Sequence, residues 1–92
     1  MPRLFSGLRA AVARAQRRRT QTSADADLAH ALHDGVEAAG LAARGLAFYV
    51  HDGVVSVYGD VADRAAREAL IDVVVEAPGV QRVVDHLRIE GA

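Results

Sequence analysis

Eleven arginines and twelve acids carry the charge of this chain, and the arginines are unevenly placed. Residues 1–20 hold six arginines, Arg3, Arg9, Arg14, Arg17, Arg18 and Arg19, and no acid. Residues 21–92 hold five arginines against twelve acids, a balance of −7, so the formal net charge of −1 conceals two segments of opposite sign. Leu4, Leu8, Ala11, Val12 and Ala15 fall on one side of a helix drawn through the first segment, with arginines around the rest. A short basic amphipathic helix of this kind suits an anionic membrane surface. Leu4, Phe5 and Leu8 would enter the interface while Arg3, Arg9, Arg14, Arg17, Arg18 and Arg19 meet headgroups. Nucleic-acid phosphates accept arginine too, without sequence specificity. The plainer alternative is a solvated or packed helix: Gly7 weakens it, and alanines make the apolar stripe shallow.

The remaining reactive side chains form no catalytic pattern. His30 and His33 are three positions apart, with Asp34 and Glu37 nearby, and imidazole with carboxylate is an acceptable zinc donor set. Yet no HExxH arrangement surrounds them, and these residues equally solvate an outer helix face. His51 sits beside a turn signal and His86 near the end of the chain. Ser56 lies in a β-prone run without a nucleophile elbow. The chain has no cysteine, so disulfides and cysteine–zinc sites are excluded and the core relies on apolar packing or a partner. The expectation is a non-enzymatic protein with no catalytic residue, no metal and no cofactor.

The elements that position these groups are organised around Leu46 to Gly59, LAFYVHDGVVSVYG. Asp52-Gly53 is a two-residue turn signal between β-prone runs, and a type I′ turn there needs positive φ at both positions. This register pairs Val50 with Val55 and Phe48 with Val57 on one face, leaving Tyr49, His51, Val54, Ser56 and Tyr58 on the other. Before the hairpin, Thr22 or Ser23 caps a helix over about residues 24–39, with Leu28, Leu32, Val36 and Ala39 as its stripe and Gly40 as its stop. After it, Asp63 caps a second helix ending near Glu76, with Ala66, Leu70, Val73, Val74 and Ala77 facing the sheet. Pro78-Gly79 turns the chain into a last strand, where Val83, Leu87 and Ile89 alternate and Asp85 interrupts.

The order is α-β-β-α-β. The expected fold class is α+β: a three-stranded mixed sheet with two helices on one face, preceded by a basic amphipathic N-terminal segment. The expected division is a basic arm over 1–21 and a domain over 22–92. No run is long enough to span a membrane, and the basic N-terminus lacks the apolar stretch of an ordinary secretion signal. Tyr49 and Tyr58 on the open sheet face, and Ile71 and Val75 widening the stripe of the second helix, are the expected protein interface. A short domain with surplus apolar surface points to a homodimer.

The stretch from about residue 25 to 90 resembles the BON domain family, named after osmotically inducible and nodulation-associated bacterial proteins. The resemblance rests on Leu28, Leu32 and Val36, on FYVHDGVVSVYGDV from Phe48 to Val61, on Arg64, Arg67 and Ala69, and on PGVQRVVDHLRI from Pro78 to Ile89. Gly53, Gly59 and Gly79 fall at the family's turn glycines, and Asp85 stands where the family often has a polar residue, commonly asparagine. The resemblance implies the same α-β-β-α-β architecture. Known members include periplasmic stress proteins, membrane-associated proteins and modules fused to channels or secretion components. The roles it implies are binding to phospholipid surfaces or envelope partners. Residue pattern and resemblance together lead to a binding module for anionic membrane surfaces or envelope-associated proteins, cytoplasmic and peripheral at the inner face of the membrane. A homo-oligomeric scaffold and nucleic-acid attachment through the arm are the alternatives.

Overall fold

The computed structural model describes residues 23–91. Helix α1 covers residues 23–38. Its apolar residues recur every fourth position, so Leu32 and Val36 are buried and Leu28 is half-buried beside them. The helix stops where the Gly40 N–H donates to the Glu37 carbonyl and the Leu41 N–H to the Val36 carbonyl. Gly40 takes φ 69°, the left-handed conformation that this pair of end bonds requires. Ala39, expected in the buried stripe, is exposed, because the helix has ended there and the backbone is already turning away. Of the two caps expected, Thr22 lies outside the described residues, and Ser23 is not a cap because its backbone is already helical.

Strands β1, Arg44–His51, and β2, Val54–Val61, form the hairpin. Asp52 has φ 52° and Gly53 φ 80°, the two positive values of a type I′ turn. That turn sets the register: Val50 opposes Val55, and Phe48 opposes Val57. The strands extend beyond Leu46 and Gly59, past a bulge between Arg44 and Ala47. A side chain on Gly59 would stand 3.3 Å from the Arg44 carbonyl oxygen, so the bulged strand closes onto a bare backbone.

Helix α2, Arg64–Glu76, begins at Asp63, whose carboxylate accepts the Ala66 N–H at 2.8 Å. It ends at Ala77, and the Val80 N–H donates to the Ala77 carbonyl across Pro78-Gly79, with Gly79 at φ 93°. The chain then enters β3, Arg82–Ile89. The Gln81 N–H donates to the Gly53 carbonyl at 2.8 Å, which fastens the start of β3 to the hairpin turn.

The sheet order is β1-β2-β3, with β1 antiparallel and β3 parallel to the central β2. Both helices cover one face. Leu32 and Val36 from α1 meet Leu70 and Val74 from α2 over Phe48, Val55, Val57, Val61 and Leu87. His33 of α1 packs edge-on against the Phe48 ring at 4.8 Å. Six of these side chains, Leu32, Val55, Val57, Val61, Leu70 and Val74, are almost wholly removed from water. Burial on that scale contributes about 1.5–3 kcal/mol per side chain. The α+β order expected from the sequence is the one that forms.

Candidate functional site

Side chains alternate along each strand, so the positions between the core residues make up the open face of the sheet. Registered partners lie on the same side, and four rows cross this face. They are His51–Val54–Arg82, Tyr49–Ser56–Val84, Ala47–Tyr58–His86 and Arg44–Asp60–Arg88. Among the large apolar side chains Tyr49 is 65% exposed and Tyr58 41% exposed. Their rings meet perpendicularly at 5.5 Å. On its other strand neighbour, Tyr58 stacks on the His86 imidazole at 4.5 Å with the ring planes 3° apart. One aromatic row therefore runs over all three strands.

Charge is segregated in the same geometry. Three of the five described arginines, Arg44, Arg82 and Arg88, belong to the open face, and only Asp60 and Glu90 of the twelve acids accompany them. Arg44 reaches Glu90 at 3.7 Å, a solvent-exposed pair of little energetic weight. Among the described residues no carboxylate lies within 4.0 Å of the Arg82 or Arg88 guanidinium. Arg44, Tyr58, Asp60, His86 and Arg88 surround a shallow depression of about 230 Å³, floored by Gly45 and Gly59 where the bulge leaves no side chain.

The four expected interface residues divide between two surfaces. Tyr49 and Tyr58 come together on the open face. Ile71 and Val75 lie on α2 beside the free edge of β3, where they line a groove of about 300 Å³ with Val80 and Val83. Val75 is 56% exposed, whereas Ile71 is half-buried against the core. At one end of the groove Asp85 accepts hydrogen bonds from Arg67, at 2.8 Å from Nε and 2.7 Å from Nη2. The arm residues Arg3, Leu4, Phe5, Leu8, Arg9, Arg14, Arg17, Arg18 and Arg19 lie outside the described residues. Among the described residues no group of three or more histidine, aspartate and glutamate side chains is placed to hold a metal ion. No described helix is long and apolar enough to cross a membrane.

Sequence reasoning singled out the tyrosines but not His86, Arg82 and Arg88 as their neighbours. The even-numbered positions of β3 carried the signal, yet only the parallel register puts them beside Tyr58 and Asp60. Within this α+β fold the open sheet face thus brings cationic and aromatic side chains together. The BON domain profile matches residues 24–91, and the chain belongs to the BON domain family. No curated protein matches the chain. Family membership supports a general role in binding at membrane or envelope surfaces.

Proposed function

We propose that this protein is a peripheral binding module for anionic membrane surfaces, acting without catalysis at the inner face of the membrane. The observation that carries the reading is the segregation of charge: six of eleven arginines lie in the first twenty residues, free of any acid. In this reading Arg3, Arg9, Arg14, Arg17, Arg18 and Arg19 are drawn to headgroups, and Leu4, Phe5 and Leu8 add shallow apolar contact. The cytoplasmic leaflet is the anionic one, which is why the inner face is its address.

The test is cosedimentation with vesicles of phosphatidylglycerol and phosphatidylcholine. Full-length protein binds; Arg17→Gln, Arg18→Gln and Arg19→Gln together weaken binding most at low salt, where screening is least. Leu4→Ala with Phe5→Ala weakens it at high salt as well. Equal binding by full-length protein and residues 22–92 would remove the arm from the mechanism. A second reading, a homo-oligomeric scaffold, is favoured by the exposure of Tyr49 and Val75 on two separate surfaces. Nucleic-acid attachment through the arm is the third, and tighter binding to DNA than to vesicles at matched salt would select it.

A further inference from the structure

We propose that the open face of the sheet is itself a bilayer-contacting surface, so that the domain rests sheet-down on anionic lipid with both helices turned to the solvent. This inference rests on the membrane reading above and adds a second contact, within the folded domain, to the arm.

The described residues contain seven more acids than arginines, so a guanidinium has many carboxylates to choose from. Arg82 and Arg88 nevertheless stand on the open face without one within 4.0 Å. The acids are concentrated on the other side: Asp27, Asp34, Glu37, Glu68, Asp72 and Glu76 are exposed on the two helices. An anionic surface attracts one side of this domain and repels the other, which fixes an orientation rather than mere adhesion.

Tyr49 and Tyr58 present apolar rings with a polar tip, the side chains that favour a bilayer's headgroup level. Val84 and Val54 lie half-buried between them and the arginines. The cations border this apolar centre at both ends of the sheet, Arg82 at one end and Arg44 with Arg88 at the other. A single-stranded nucleic acid needs a free ring face for each stacked base. On Tyr58 one of the two ring faces is already taken, since His86 stacks on it at 4.5 Å with the ring planes 3° apart. Lipid requires only exposed ring surface with a polar tip, and Tyr49 at 65% and Tyr58 at 41% exposure present it.

The chain has no cysteine, so a single nitroxide can be placed at will on the full-length protein. Ser56→Cys labels the centre of the open face, and Asp72→Cys labels the outer side of α2. On vesicles of equimolar phosphatidylglycerol and phosphatidylcholine, the label at position 56 becomes several-fold less accessible to an aqueous nickel chelate, and the label at position 72 is unchanged. Arg82→Gln with Arg88→Gln weakens vesicle binding several-fold while the circular dichroism and melting curve stay as in the unmodified chain, since both side chains are exposed. Bound protein with position 56 still open to nickel overturns the sheet-down placement and leaves the arm reading standing. No vesicle binding by the unmodified chain overturns both. If the arginine pair weakens binding to a single-stranded oligonucleotide but not to vesicles, the face belongs to nucleic acid and the lipid assignment is wrong.

Discussion

Asp85 is the residue whose place in the chain looks least reasonable until its partners are named. It sits among core-facing positions of β3, between Val83 and Leu87. One carboxylate oxygen takes both hydrogen bonds from Arg67 of α2, and the other accepts the Leu87 N–H at 2.8 Å. The Glu90 N–H donates to Val61 of β2, so even-numbered amides of β3 face the sheet and odd-numbered ones, Leu87 included, face its free edge. Asp85 thus satisfies an edge donor that has no strand beside it among the described residues, and it blocks that stretch from pairing with another chain. Asp85→Ala removes both functions and should cost about 1–3 kcal/mol in urea denaturation. Asp85→Asn keeps an oxygen for the Leu87 N–H and should cost clearly less. Equal losses from the two substitutions would show that only the charge pair with Arg67 matters.

At the scale of the element, the hairpin decides which side chains are buried. Asp52-Gly53 fixes the register, and the register puts Val55 fully inside and its neighbour Ser56 on the open face. A slip of one residue would exchange the two faces. Val55→Asp forces an unpaired carboxylate into the core and should cost several kcal/mol, comparable with the roughly 5 kcal/mol that a small domain has in total. Ser56→Asp, one position along, should leave the denaturation midpoint nearly unchanged. Thermal unfolding of the two variants side by side measures this, and similar losses would mean that the observed register is not the one in solution. Helix α2 shows the same logic with a different period: Leu70 and Val74 are wholly buried while Val75, next in sequence, is 56% exposed.

For the whole molecule, the division of exposed apolar residues between two surfaces separates two modes of assembly. A domain this small has a poor ratio of core to surface, and association would cover the excess. We expect a homodimer, with sedimentation equilibrium at about 100 μM as the measurement, a concentration at which micromolar affinity shows plainly. Tyr49→Glu with Tyr58→Glu dissociates it if the open sheet face is the interface. Val75→Glu dissociates it if the groove beside β3 is, and Val75 is a better probe than Ile71, which also packs on the core. A strictly monomeric mass would reject assembly and leave the open face free for lipid in every molecule. Dimerisation through that face would instead compete with vesicle binding, so the tyrosine pair links the two questions.

The sequence by itself determined the elements and their order. Asp52-Gly53, Asp63, Gly40 and Pro78-Gly79 act within a few residues of themselves, through φ preferences and side-chain caps, and nothing distant changes what they require. The hairpin face was legible for the same reason: a two-residue turn leaves one register, and a period of two does the rest. Tertiary structure alone decided what stands beside what across the β2–β3 seam. Tyr58 meets His86, and Asp60 stands opposite Arg88 in the ladder, only because α2 packs back on the sheet and delivers β3 parallel to β2 in one register. It also decided that Asp85 is an edge cap rather than an interruption, and that Tyr49 and Val75 belong to different surfaces. Those outcomes depend on how an entire helix fills the space above Val55 and Val57, and a packing fit of that kind leaves no mark in any short run of residues.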